Sequence, residues 1–325
     1  TAALGASGTW EVRAVTFEVA SKEAPAPTQW RDARTGDRIW SERQSLDFWA
    51  QLGFGMANAV ATALAVLMVW RIAGHFGVSD AARLVTAAGY AFGTIAWPYA
   101  KYDFSEPLAA VAMLVAADAV YRAFLPGLTP EGYRGQVAVV VVACLVAVAA
   151  KYAAAFAVAA LAIEWVVVAR PWAREGANRR HTLAFGLGAL VPFVAAGTVA
   201  IAILLRATGE APILLTSGLD RLRDDWFTLP LWTGLRGLMF SSGKGLFVYA
   251  PWLLLAPIGM ALIVARARHG ALVGLVMVVG YPVLTIVAYA QKLVWHGGAW
   301  GPRYLVLALP WLALACAPAI EWALS

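Results

Sequence analysis

Charge is scarce in this sequence. Asp, Glu, Lys and Arg make up 14% of its 325 residues and hydrophobic residues 61%, a balance that excludes an ordinary soluble domain and points to an integral membrane protein. Cysteine is nearly absent: Cys144 and Cys316 both sit inside apolar runs, so neither a disulfide framework nor a thiolate metal site is suggested. No base-reading motif accompanies the formal charge of +6, which is spread over loops and favours anionic lipid or phosphate partners over nucleic acid. There is no strict internal repeat. A cleavable leader is also missing and residue 1 is Thr, so an upstream segment is expected to precede this numbering.

Residues 1–46 are polar, with strand-like alternation in "TWEVRAVTFEV" and then the Pro/Arg/Asp-rich "APAPTQWRDARTGDRIWSERQ". This is expected to be an extramembrane segment able to dock on a protein partner. Residues 47–325 carry apolar runs at about 48–70, 84–99, 107–121, 136–150, 152–169, 182–205, 245–265, 269–290 and 304–323. Most are near the ~20 residues that cross a bilayer as helix. The expected fold is therefore an all-α membrane protein, a polytopic bundle of about nine embedded segments. Ala-rich stretches such as "AVAAKYAAAFAVAALA" suit close helix packing in lipid.

With residues 1–46 outside, parity puts Arg71/Arg83, Arg122/Arg134, Arg170/Arg174/Arg179/Arg180 and Arg266/Arg268 in short inner loops, as topology signals. All five lysines, Lys22, Lys101, Lys151, Lys244 and Lys292, then fall on the outer side. So do loops at 99–106, 206–244 and 291–303.

Four outer features stand out. "WPYAKYDFSEP" brackets Lys101, Asp103 and Glu106 between two prolines, either as an interfacial turn with a paired lysine or as part of a site. The loop 206–244 holds "LDRLRDDW", read as an amphipathic interfacial helix, and "SSGKGLF", whose backbone N–H groups and Lys244 would suit an anion although the spacing is not that of a P-loop. "VWHGGAWGPRYL" joins His296 and Arg303 to Gly297, Gly298 and Gly301. The glycines allow close approach of a ligand, and Arg303 can fork two donors onto a phosphate. Its tryptophans, Trp295 and Trp300, also fit a plain aromatic belt. Lys151 lies at the middle of the apolar stretch 136–169. Either a hairpin breaks there and presents it to the outer face, the reading preferred here because it keeps the loop parity, or one long helix buries it against a carboxylate. Glu164 has no evident partner in the sequence.

The stretches "NAVATALAVLMVWRIAGHFGVS", "GTIAWPYAKYDFSEPLAA", "GLMFSSGKGLFVYAPWLLLAPIG" and "WHGGAWGPRYLVLALPWLAL", in that order, resemble bacterial polytopic glycosyltransferases of the GT-C superfamily. These are the relatives of protein mannosyltransferases and lipid A aminoarabinose transferases. The resemblance runs from about Asn58 to about Pro318. It implies a GT-C-like bundle in the bacterial inner membrane that takes a sugar from a polyprenyl-phosphate carrier and transfers it, with inversion, on the extracytoplasmic side. The family's acidic motif in its first outer loop has no match in residues 1–46, so the resemblance places the base upstream of Thr1 or leaves the chain without one.

Sugar transfer from a phosphate-linked donor needs a carboxylate for the acceptor proton and cations for the leaving phosphate. Asp103 and Glu106 are the visible acids, suited to acceptor or metal contact. A divalent ion would be held by these two with water, although no cofactor is required by the sequence. Lys101, Lys151, Lys244, His296 and Arg303 are the expected ligands of the lipid-carrier phosphate. The alternatives are a non-catalytic GT-C-fold subunit of a larger membrane complex and, second, a transporter, for which deep helix charges and inverted repeats would be expected.

Overall fold

A computed structural model describes residues 2–4, 10–12, 42–101, 105–124, 129–151, 153–169, 228–268, 272–292 and 301–325. Its contacts group into two compact units, Thr1–Ala57 and Asn58–Ser325. In the first, β1 (Ala2–Leu4) pairs antiparallel with β2 (Trp10–Val12), Ala3 opposite Glu11. The alternation of the N-terminal segment thus yields a short strand pair, a small β element in addition to the helices of the other described residues.

The helices are α1 (Glu42–Ala73), α2 (Asp80–Phe92), α3 (Ala96–Tyr99), α4 (Glu106–Ala123), α5 (Pro130–Ala150), α6 (Ala154–Ala169), α7 (Leu231–Phe240), α8 (Leu246–Tyr249), α9 (Ala256–Arg268), α10 (Tyr281–Ala290) and α11 (Leu309–Leu324). Among the described residues three spans are long and apolar enough to cross a membrane: Met56–Phe76, Glu131–Ala150 and Pro251–Arg268. Ala154–Val168, Leu275–Ala290 and Leu309–Leu324 are apolar but shorter. That set does not confirm the expected bundle of about nine embedded segments. The run at 182–205 lies outside the described residues.

Several expected boundaries move, for local reasons. α1 begins at Glu42, inside the stretch read as polar, while its apolar span of membrane length begins at Met56. The loop 206–244 contains α7, and the 245–265 run is broken into α8, a 3-10 turn over Pro251–Leu255 and α9, with Pro251 opening the turn because it has no N–H to lose there. "LDRLRDDW" falls outside the described residues. α2 starts where Ser79 accepts the N–H of Ala82 with Asp80 in the first turn, and α5 starts where Thr129 accepts from Gly132 ahead of Pro130.

The core of the second unit is α11. Every residue from Leu305 to Ile320 is buried, as expected of a helix that is apolar all round. α9 approaches it so closely that a Cβ added to Gly259 would lie 1.7 Å from Ala315 O, so only glycine fits that crossing. Trp252, in the 3-10 turn before α9, lies over α2 and donates through Nε1 to Gly93 O at 3.0 Å. α4 and α5 form the most extensive helix pair.

The helix break expected at Lys151 is present: α5 ends at Ala150, Lys151 is extended (φ −149°, ψ 112°), and α6 starts at Ala154. No Gly or Pro makes that break. Lys151 at the break is also paired with a buried carboxylate, Glu106, the kind of contact that the long-helix alternative calls for.

Candidate functional site

Three expected site residues meet at one end of the helices. Glu106 is the first residue of α4, where an anionic side chain complements the helix N-terminus, and Pro107 follows it in the first turn. Lys151 is the break between α5 and α6. Arg303 opens a single 3-10 turn, Arg303–Leu305, that feeds the chain into α11. Gly301, two residues earlier, has φ +66°, a left-handed conformation that strains any residue with a Cβ.

Glu106 Oε1 accepts from Lys151 Nζ at 2.9 Å and from Arg303 Nε at 3.0 Å. The Glu106 side chain is only 3% exposed, whereas those of Lys151 and Arg303 are 25% and 28% exposed. Its second oxygen, Oε2, is buried and has no hydrogen-bond partner among the described residues. One acid thus gathers two cations at the ends of α4 and α5. Glu106 takes one donor from each cation, of the three on an ammonium and the five on a guanidinium.

Aromatic rings border the group. Tyr304 stacks on Tyr289 with centroids 4.9 Å apart and planes 1° from parallel, and Lys292 Nζ sits 4.6 Å from the Tyr304 ring centre. Lys292, Tyr289 and Tyr304 were not singled out in the sequence. Lys292 and Tyr304 bracket the His296 stretch, but a cation over a ring is a relation in space that spacing does not encode.

The other expected residues are placed differently. Lys101 is exposed in the turn after α3, its N–H on Pro98 O, and is not brought onto Glu106. Lys244 stands on a separate turn after α7. There the N–H of Lys244 goes to Ser241 Oγ at 3.2 Å and that of Gly245 to Ser241 O at 2.7 Å. Of the backbone donors expected to cradle an anion in "SSGKG", those of Lys244 and Gly245 are thus engaged inside the turn. Asp103 and His296, with Gly297 and Gly298, lie outside the described residues. Among the described residues no group of three or more His, Cys, Asp or Glu side chains is placed to hold a metal ion.

The opposite end of the helices carries a second ionic group. Asp118 of α4, 2% exposed, is approached through Oδ2 by Arg71 Nε and Arg122 Nε, each at 3.1 Å, and through Oδ1 by His75 Nε2 at 3.0 Å. Glu164, without a visible partner in the sequence, is fully buried and accepts the backbone N–H groups of Gly274, Val276 (2.7 Å) and Met277 together with Tyr121 OH (3.2 Å). It caps the π-helical turn Leu275–Gly280 that leads into α10. That is a structural role, and its partners are main-chain groups that every sequence contains.

Compared with protein-family models, with curated proteins and with solved structures, the chain gives no match.

Proposed function

We propose that the chain is a membrane glycosyltransferase of the GT-C kind. On this reading it is a multi-pass protein of the bacterial inner membrane that moves a sugar from a polyprenyl-phosphate carrier to an acceptor on the extracytoplasmic face. The observation that supports it is the meeting of Lys151 and Arg303, residues far apart in sequence, on the buried acid Glu106 at the ends of apolar helices. A lipid-linked donor carries its phosphate at that level while its tail lies between helices.

In the reaction the acceptor oxygen attacks the anomeric carbon from the face opposite the phosphate. The sugar–phosphate C–O bond breaks, the carrier leaves as polyprenyl phosphate, and the acceptor proton passes to a carboxylate. Lys151 and Arg303 hold the leaving phosphate, with Lys101, Lys244 and His296 as further cations of the same face. Glu106 is a positioning residue here. A carboxylate already bound by two cations is a weak base, so the proton goes elsewhere, to Asp103 or to an acid in another segment. A divalent ion, if used, would be held by Asp103 with water and would help neutralise the charge of the leaving phosphate.

That same engagement of Glu106 favours a second reading, a non-catalytic GT-C-fold subunit that binds the lipid carrier or a neighbouring protein, with residues 1–46 as the docking segment. Two assays on the full chain in nanodiscs separate them: binding of fluorescent polyprenyl phosphate, and transfer of radiolabel from a polyprenyl-phosphate-linked hexose or pentose. Binding with transfer supports the enzyme and binding without transfer the subunit. Absence of both overturns the carrier site altogether.

A further inference from the structure

The group at the opposite end has a charge imbalance that the sugar-transfer reading does not use. Asp118 is a single buried acid, yet two guanidinium groups and an imidazole converge on it. Arg71 and Arg122 reach the same oxygen, so their heads are neighbours. Their side chains are 46% and 35% exposed. The closest atom of each is Nε, and Arg122 Nε has no aligned hydrogen bond among the described residues. Among the described residues the other acids at this end form no ion pair with these two arginines: Asp80 holds Arg83, Glu321 accepts from Ser79, Glu164 caps the π-helical turn, and Glu131 is exposed in the first turn of α5. Basic residues in a last helical turn complement the helix dipole, which accounts for cations here but not for two of them sharing one carboxylate.

A second feature leads to the same place. Val60, Leu64 and Leu67 are all exposed, 59%, 48% and 53%, and follow one another at helical spacing along α1. Arg71 is the next position on that face, four residues after Leu67. Its opposite face, Ala61, Ala65, Val69 and Ile72, is buried in the core. An apolar track thus ends in a pair of guanidinium groups within a turn of where α1 and α4 end, at Ala73 and Ala123.

We infer that Arg71 and Arg122, held together by Asp118, bind the phosphate of an anionic phospholipid whose acyl chain lies along Val60, Leu64 and Leu67. The planar fork of each arginine suits a phosphodiester, and the buried carboxylate keeps the two heads close enough to share one. Asp118 and His75 act as positioning groups. The inference rests on α1 crossing a membrane and is independent of the sugar-transfer reading, because its residues are at the other end of the helices from Glu106.

The test measures binding of fluorescent phosphatidylglycerol and of fluorescent phosphatidylcholine to the purified full chain in neutral detergent. The wild-type chain should prefer phosphatidylglycerol. Arg71→Gln, whose side chain is half exposed and leaves Arg122 on Asp118, should weaken that lipid severalfold, and the charge-free combination Arg71→Gln/Arg122→Gln/Asp118→Asn by about tenfold or more. Arg268→Gln removes one positive charge at the same end and should change nothing. Equal loss in Arg268→Gln would reduce the effect to general surface charge, and unchanged binding in Arg71→Gln would remove the pair from the site. Competition by soluble glycerol phosphate as strong as by the lipid would make this a site for a free phosphate ester; any of these results overturns the inference.

Discussion

Glu106 commits one oxygen to two cations and keeps the other buried without a partner among the described residues. Removing its charge therefore leaves Lys151 and Arg303 close together with no negative charge between them. Glu106→Gln should cost about 2 kcal/mol, the range of hydrogen bonds to charged groups, and thermal unfolding in detergent would read it. The double variant Glu106→Gln/Lys151→Met should regain part of that, because the orphaned ammonium is gone; a purely additive loss would show that the two do not interact. Arg303→Lys keeps the charge and loses the planar fork. If Arg303 holds the carrier phosphate as proposed, polyprenyl phosphate should bind about 1–3 kcal/mol more weakly, and equal binding by Arg303→Lys and Arg303→Ala would take the residue out of the site.

Between helices the close contacts are made by small residues, and one of them is decisive. At Gly259 the α9 backbone lies against Ala315 O of α11, so even Gly259→Ala forces the two helices apart and should cost about 1–3 kcal/mol. Gly135, in α5, has nothing within 4 Å of an added Cβ, and Gly135→Ala should be neutral or slightly stabilising. Equal melting temperatures for the two variants would contradict the packing described. Glu164→Gln tests the cap on the turn before α10: the amide would bring its own N–H donors against the backbone N–H groups of Gly274 and Val276, a loss of about 2 kcal/mol readable in the same assay. Much of this was legible in the sequence and much was not. A lone lysine in a long apolar stretch announced the turn at Lys151. Gly259 looks like any glycine in an apolar run, Glu164 binds main-chain groups, and the four-residue spacing of Asp118 and Arg122 gives no hint that Arg71 and His75 reach the same acid from another helix.

Across the molecule, contacts sort by helix end. Glu106, Lys151, Arg303, Lys292 and Tyr304 are gathered at or near one end. Asp118, Arg71, His75 and Arg122 gather at the other, as do Ser79 with Glu321 and Arg266 with Phe76 O. Alternating loop parity would assign these two ends to opposite faces of a membrane, although the described helices include fewer full-length spans than the hydropathy runs suggested. Burial of Cys144 and Cys316 gives a low background for thiol labelling. Single cysteines at Lys101 and Thr129, exposed before and after α4, should then differ in intact cells: a membrane-impermeant reagent should reach the first and spare the second. The reverse pattern would invert the proposed orientation.

The turn at Lys151 also sets an order of events during synthesis. Its partner Glu106 is made 45 residues earlier, whereas Arg303 emerges only near the end of the chain. As the proposed hairpin of α5 and α6 enters the membrane its cationic apex must cross the hydrocarbon layer, and a carboxylate already waiting on α4 lowers the cost of that passage. Arg303 would then dock onto a finished pair. Ribosomes stalled far enough beyond Ala169 to clear the exit tunnel should already shield Lys151 from an amine-reactive label, and the same nascent chain carrying Glu106→Gln should not.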